Sequence, residues 1–191
     1  MDSTLAPGLL IAAPTMNDSR FARSVILLAE VGDEGALGFV LNRTTPYTFG
    51  DLASDIGFEM DPEILNNDVH YGGPVSPERG WILFQEPVVE GAKERENVLK
   101  VTSEISLAAT LEILGEFVTC ENRSPFKLLL GYAGWDSKQL EDEIQDGAWI
   151  PAELDPALLF DVPNDKLWES ALDTLGLAPG TFFMGPSGAK A

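Results

Sequence analysis

The chain has 191 residues, and its 31 acidic and 12 basic residues give a formal net charge of −19. This length allows one large domain with a sizeable core, so we expect residues 1–191 to form one domain with mobile ends at 1–6 and 186–191. A surface this acidic repels polyanions, so we expect no direct nucleic-acid partner and no membrane partner.

The chain holds a single cysteine, Cys120, and a single histidine, His70. One cysteine excludes an intramolecular disulfide framework and any cysteine-based metal cluster. A zinc site would need carboxylates for its other ligands, and a serine–histidine–aspartate triad would have to use His70. We therefore expect no metal and no cofactor, with His70 at a strand edge or turn and Cys120 packed at a helix end.

Targeting signals are not evident in the sequence. No charged and then apolar leader opens the chain, and no apolar run approaches the roughly 18 residues that span a bilayer. These observations predict a cytoplasmic protein.

Apolar runs predict the strands, and helical spacing of apolar residues predicts the helices. In chain order, the predicted strands are 9–13, 24–30, 36–42, 69–71, 80–85, 98–102, 126–131 and 148–151. The predicted helices are 49–56, 104–117, 138–145 and 165–175. Thr48 is expected to cap the first helix and Ser103 the second, while Asp136 and Gln139 predict a capping box at the third.

The order of these elements indicates the fold class. The sequence GDEG at 32–35 lies between two apolar runs, which is typical of a β-hairpin. Helices are too few to alternate with the strands, and hairpins imply antiparallel pairing. The sequence therefore predicts an α+β fold rather than a doubly wound sheet.

The segment GLLIAAPTMNDSRFARSVILL at 8–28 holds two apolar runs around a long polar insert. A tight hairpin needs only about two to five connecting residues, so the extra length binds or packs something. Arg20, Arg23 and Arg43 are the only lysine or arginine residues before Arg79. If 24–30 and 36–42 pair as a hairpin, Arg23 and Arg43 come close together beside Asn42.

Two interpretations of this cluster stay open. In the structural one, the arginines pair with buried carboxylates or cap backbone carbonyls and hold the insert on the core. In the functional one, a forked set of donors binds a carboxylate or phosphate. The candidate ligand-binding residues are Arg20, Arg23, Asn42, Arg43, Gly72 and Gly73.

Each of the blocks MNDSRF, LNR and YGGPV ends an apolar run, where chain reversals gather, so we expect the three to converge in space. The glycines of YGGPV and GYAGW fit no phosphate-binding fingerprint and predict positive φ or close backbone approach. The carboxylates EDE at 141–143 are predicted to form a solvated face.

Five blocks together resemble the AlgH/YqgE family of bacterial proteins. They are GLLIAAPTMNDSRFARSVILL, GALGFVLNR, YGGPV, LLLGYAGWDSKQLEDEI and GAWI, in this order, and the tail DPALLFDVPNDKLWESALDTLGL resembles that family's C-terminal segment. The resemblance implies a coiled, barrel-like, mostly antiparallel or mixed sheet flanked by about four helices. It also implies a family without an established activity, linked by name to regulation of alginate synthesis.

Two departures from the family pattern bear on chemistry. Members often carry Cys-Glu-His where this chain has Ala29, Glu30 and Val31, and many carry a histidine where this chain has Phe84 and Gln85. Thiol or histidine chemistry of the family is therefore not expected here. The favoured function is a non-enzymatic regulatory protein that works through protein contacts. The alternative is a binder of small anions, or an enzyme, that uses the arginine, asparagine and glycine blocks.

Overall fold

A computed structural model describes residues 5–57, 59–86, 97–119 and 123–177. Its strands are β1 (Gly8–Ala12), β2 (Val25–Gly32), β3 (Gly35–Val40), β4 (Thr44–Thr48), β5 (Asp68–Tyr71), β6 (Val75–Gln85), β7 (Val98–Lys100), β8 (Ile105–Ala108), β9 (Phe126–Asp136) and β10 (Trp149–Ala152). Its helices are α1 (Phe49–Ile56), α2 (Leu111–Val118), α3 (Gln139–Gln145), α4 (Pro156–Phe160) and α5 (Asn164–Thr174), with a 3₁₀ turn at Pro62–Ile64.

The strands form one curled, mostly antiparallel sheet that resembles half of a barrel. Neighbouring strands follow the order β10-β1-β2-β3-β9-β6-β8-β7. β5 pairs antiparallel with β4 and parallel with β9, so the sheet is mixed at this point. The predicted α+β class and the coiled sheet are confirmed.

Both faces of the first strands are buried, which explains why they read as continuous apolar runs rather than alternating ones. Leu9 and Ile11 of β1 face a core that includes Trp168 of α5. Leu10 faces the opposite core, which includes Leu140 of α3. Helices therefore cover the sheet on two sides. None of the helices in the described ranges is long and apolar enough to cross a membrane.

The prediction of one helix over 104–117 is wrong in its first half. Ile105–Ala108 is strand β8, and the helix α2 begins only at Leu111, capped by the side chain of Thr110 rather than by Ser103. β8 is buried along its whole length, so its apolar residues show neither helical nor alternating periodicity. Pairing with β6 and β7 on both sides decides its conformation.

Strand β4 and helix α4 were not predicted, and both are short. β4 contains Pro46, which argues against a strand from sequence alone, and it pairs only with β5 among the described strands. α4 has five residues, capped by the Asp155 side chain. The described helices therefore number five rather than about four.

Parts of the sequence predictions fall outside the described residues. Cys120 lies outside them, as does the predicted mobile end 186–191 and all but two residues of the end 1–6. Leu5 and Ala6, the described part of that first end, pack against the core. The single domain over 1–191 stays a prediction.

Candidate functional site

Arg43 holds the long insert between β1 and β2 against the end of β3. Its Nη1 donates a hydrogen bond to the carbonyl of Ser19 at 3.1 Å, and its Nη2 donates to the carbonyl of Ala22 at 2.8 Å. A guanidinium suits two neighbouring acceptors because its donors form a rigid fork. These contacts are the ones that the structural interpretation of the insert expects.

Asn42 joins the same insert to the adjoining strands. Its Oδ1 accepts a hydrogen bond from the backbone N–H of Val25 at 3.0 Å, and its Nδ2 donates to the carbonyl of Arg23 at 2.9 Å. The amide thus replaces one rung of a β-ladder where β2 begins. Both ends of its side chain are engaged by the fold itself.

Arg20 and Arg23 point to different partners. Arg20 pairs with Asp18 at 2.7 Å, and this contact lowers the pKa of the Asp18 carboxyl. Arg23 pairs with Glu169 of α5 at 2.8 Å, and its guanidinium lies 4.5 Å from the ring centre of Trp168. The expected cluster of two arginine forks beside Asn42 is therefore divided between the insert and α5.

Gly72 and Gly73 bring the YGGPV block against the middle of β9. The N–H of Gly72 donates to the carbonyl of Leu130 at 2.7 Å, and its own carbonyl accepts from Val40 at 2.8 Å. A Cβ at Gly73, where φ is +154°, would overlap the backbone of Tyr132. The prediction that these glycines permit close backbone approach is confirmed.

The three blocks converge as predicted. Asn42 contacts Arg23, Arg43 contacts Ser19, and Gly72 bonds to the strand that leads to Asn42. A pocket of about 300 Å³ lies between the insert, Pro74 and Val75 of YGGPV, and residues of β9 and α3, with Arg20 among the lining residues. Whether this region binds a ligand stays a prediction.

Glu143 corrects the prediction that residues 141–143 form a purely solvated face. Its Oε2 accepts hydrogen bonds from Nε1 of Trp135 at 2.9 Å and Nε1 of Trp149 at 2.8 Å, and its Oε1 accepts from Gln139 at 2.7 Å. Both tryptophans are buried. Exposed Glu141 and Asp142 fit the prediction, whereas Glu143 lies half-buried because helix α3 turns it towards the sheet.

A large cleft, here called the hairpin cleft, lies beside the β2–β3 hairpin and measures about 870 Å³. Val31 and Val75 lie on its surface and are 38% and 37% exposed. Four exposed carboxylates also line the cleft, and none of its described lining residues is basic. The carboxylates belong to Glu30, Asp33, Glu34 and Asp136.

A second cleft, here called the lysine cleft, measures about 690 Å³ and has His70 of β5 and Lys127 of β9 in its wall. Nζ of Lys127 lies 3.2 Å from Nε2 of His70 and 3.2 Å from Oδ1 of Asn164, the first residue of α5. Both basic side chains are buried, with 8% and 9% exposed. Nδ1 of His70 has no hydrogen-bond partner among the described residues.

Burial shifts both groups towards their neutral forms. It lowers the pKa of Lys127 to about 8, against the opposing charge of Asp68. Burial, and secondly the positive charge of Lys127, lower the pKa of His70 to about 4. At neutral pH the imidazole is therefore an uncharged acceptor, and a fraction of the lysine is free amine.

Sequence reasoning gave His70 a structural role and did not single out Lys127 or Asn164. The available signal was one charged residue inside the otherwise apolar run FKLLLG. Parallel pairing of β5 with β9, which matches His70 with Leu129, cannot be read from local pattern. No three His, Cys, Asp or Glu side chains are placed to hold a metal ion within the described residues.

Comparison with known proteins gives consistent matches over nearly the whole chain. A family model described as AlgH-like matches residues 9–180. A UPF0301 protein of Anaeromyxobacter sp. (strain Fw109-5) is 45% identical, over 99% of this chain and 97% of its own. The solution structure of the AlgH protein from Pseudomonas aeruginosa superposes with a TM-score of 0.74 at 29% identity, covering 99% of this chain and 98% of that one.

A crystal structure of a protein from Corynebacterium diphtheriae superposes with a TM-score of 0.70. Its sequence identity is 21%, and the match covers 94% of this chain and 92% of that one. At this level of identity the likeness concerns the fold alone.

Proposed function

The chain belongs to the AlgH-like family, whose function is uncharacterised, and from this premise we propose that it is a non-enzymatic, cytoplasmic regulatory protein. It acts by binding a basic segment of a partner protein in the hairpin cleft. The single cysteine fits a reducing compartment, where disulfides are rare.

The composition of the hairpin cleft carries this proposal. Val31 and Val75 offer small areas of apolar surface in the cleft, where apolar anchor residues of a partner can pack. Four carboxylates line the same cleft, and none of its described lining residues is basic. A cleft that combines apolar surface with charge of one sign favours a partner with apolar anchors and opposite charge, here lysine or arginine.

The proposal predicts selective binding of a basic peptide. A fluorescent peptide in which lysine or arginine alternates with leucine is expected to bind at micromolar concentration, while the same peptide with glutamate in place of the basic residues does not bind. Fluorescence anisotropy at about 150 mM salt measures both, because at this salt remote charges are largely screened. Duplex DNA titrated under the same conditions is expected to show no binding.

The double substitution Asp33→Lys and Glu34→Lys is expected to weaken peptide binding at least tenfold. The matched control is Glu141→Lys with Asp142→Lys, which makes the same charge change on the exposed face of α3. Equal losses in the two variants would reduce the interaction to net charge and contradict the proposal. Micromolar binding of duplex DNA would contradict it too.

The insert supports a second candidate function, binding of a small anion. Its supporting observation is the pocket of about 300 Å³ between the insert and Pro74 and Val75 of YGGPV, which has Arg20 among its lining residues. The contacts of Arg43 and Asn42 with backbone groups favour the structural interpretation instead. The substitution Arg43→Ala, together with thermal melts in phosphate, distinguishes the structural interpretation from anion binding.

The substitution Arg43→Ala is expected to lower the free energy of unfolding by about 2 kcal/mol, because charged hydrogen bonds contribute about 1.5 to 3 kcal/mol. The partners of Arg43 are carbonyls rather than a buried carboxylate, so the larger loss of an orphaned ion is not expected. Thermal melts of the wild type in millimolar phosphate are expected to show no rise. A rise of several degrees, abolished in a variant of intact stability, would establish anion binding instead.

A further inference from the structure

We propose that the lysine cleft captures small aldehydes or ketones, with Nζ of Lys127 as the attacking amine and His70 as its positioning residue. This inference concerns a different cleft from the one in the proposed function, and neither depends on the other.

The geometry around Nζ supports an amine role. Lys127 has contacts at 3.2 Å with a ring nitrogen of His70 and with the amide oxygen of Asn164, both uncharged groups. No carboxylate among the described residues lies within ion-pair distance of Nζ. Burial without an ion-pair partner makes the ammonium costly, so Lys127 holds more neutral amine, the nucleophilic form, than an exposed lysine does, although the charge of Asp68 opposes this shift.

The contact between buried Lys127 and His70 is not explained by a contribution to stability. A fold that only needed to join α5 to the sheet would gain more from an apolar contact than from a buried lysine beside an imidazole. Lys127 and His70 are two buried basic side chains in contact, and Nδ1 of His70 lacks a hydrogen-bond partner among the described residues. Such an arrangement is typical of a functional site.

The surroundings of the pair leave room for a small ligand. The lysine cleft is open to solvent and has polar neighbours in its wall, including Asn66, Asn67 and Ser124, whose side chains can bind a hydroxyl or carbonyl oxygen. The charged residues that line it besides Lys127 are Glu63, Asp68 and Arg123, and Arg123 is paired with Asp61. Because both signs are present, a neutral carbonyl compound fits better than a strong anion.

The proposed step balances without any oxidant or reductant. The Nζ lone pair forms a bond to the carbonyl carbon, and the π electrons of the C=O bond move to oxygen. One proton passes from nitrogen to that oxygen through Nε2 of His70, which gives a carbinolamine and leaves the ring neutral. The nitrogen lone pair then forms C=N, the C–O bond breaks, and the hydroxyl leaves as water with the remaining nitrogen proton.

The neutral imidazole suits this role. Burial and the adjacent ammonium keep the pKa of His70 at about 4, so its Nε2 lone pair is available at neutral pH. Once Nζ has lost its charge, the second of these causes disappears and the ring becomes more basic.

Reductive trapping tests the proposal on the full chain. Propanal and sodium cyanoborohydride, which reduces an imine to a stable secondary amine, are added at pH 7.5, and peptide mapping by mass spectrometry locates the product. Lys127 is expected to be labelled at least tenfold faster than exposed Lys166 and Lys138 in the same molecule. The ratio is expected to fall above pH 8, where exposed lysines begin to gain free amine.

Labelling of Lys127 at or below the rate of Lys166 would overturn the proposal, because a buried lysine with a purely structural role is shielded from the probe. Lys127→Arg is expected to remove the label from this peptide and leave Lys166 unchanged. His70→Gln keeps an acceptor for Nζ but not a proton relay, so labelling of Lys127 is expected to fall several-fold. An unchanged rate in a folded His70→Gln variant would overturn the role of His70.

Discussion

Gly73→Ala is expected to lower the free energy of unfolding by more than about 3 kcal/mol. Gly73 has a φ of +154°, which side-chain-bearing residues rarely adopt, and a Cβ there would overlap the backbone of Tyr132 on β9. Strain of about 1 to 3 kcal/mol for the backbone adds to about 1 to 3 kcal/mol for the overlap. Urea denaturation followed by far-UV circular dichroism measures the loss.

Gly147→Ala is the matched control for this experiment. Gly147 also has a positive φ, +74°, but nothing lies within 4 Å of a Cβ placed there. Its substitution is expected to cost only about 1 to 2 kcal/mol, the penalty for the left-handed conformation alone. Equal losses in the two variants would show that close approach of YGGPV to β9 contributes nothing to stability.

Three segments of the chain meet beside Gly73, so the substitution is expected to disturb more than the turn in which Gly73 lies. Gly72 bonds on one side to Leu130 of β9 and on the other to Val40 of β3. The same backbone therefore links the parallel branch of the sheet to the strand that ends at Asn42 and Arg43. A displacement at Gly73 is expected to move the support of the insert as well.

The sequence predicted most elements because their signals are local. The hairpin turn at 32–35 and helix α1, at Phe49–Ile56, are reproduced residue for residue, since a glycine turn and the side chain of Thr48 act within a few residues. β8 was missed because its partners β6 and β7, rather than its own periodicity, decide that it is extended. The coiled shape of the sheet came from family resemblance, not from local pattern.

The candidate site was less predictable than the fold. The insert blocks were placed together correctly because hairpin pairing forces Arg23 towards Asn42. The direction of each side chain was not predictable, and Arg23 turns to Glu169, which is 146 residues away in the chain. Lys127 and His70 come into contact because β5 and β9 pair in parallel, and this pairing cannot be predicted from the residues of either strand alone.

Glu143→Ala is expected to lower the free energy of unfolding by about 3 kcal/mol. The carboxylate accepts hydrogen bonds from the indole N–H groups of Trp135 and Trp149, which are buried with 7% and 3% exposed. Removing it leaves two donors without an acceptor, and each unsatisfied buried donor costs about 1 to 3 kcal/mol. Equilibrium unfolding in urea gives the loss, and near-UV circular dichroism reports on the two indoles directly.

Two further substitutions separate this effect from loss of charge. Glu143→Gln keeps an acceptor oxygen for the indoles and is expected to cost about 1 kcal/mol, because a neutral acceptor bonds more weakly than a carboxylate. Glu141→Ala removes the same charge from an exposed position of the same helix, and a change within about 0.5 kcal/mol is expected. If Glu141→Ala were as damaging as Glu143→Ala, helix charge rather than the two indoles would account for the loss. The sequence EDE alone does not show which of its carboxylates is half-buried. The position of Glu143 on helix α3 directs its carboxylate towards the two indoles, whereas Glu141 and Asp142 face solvent.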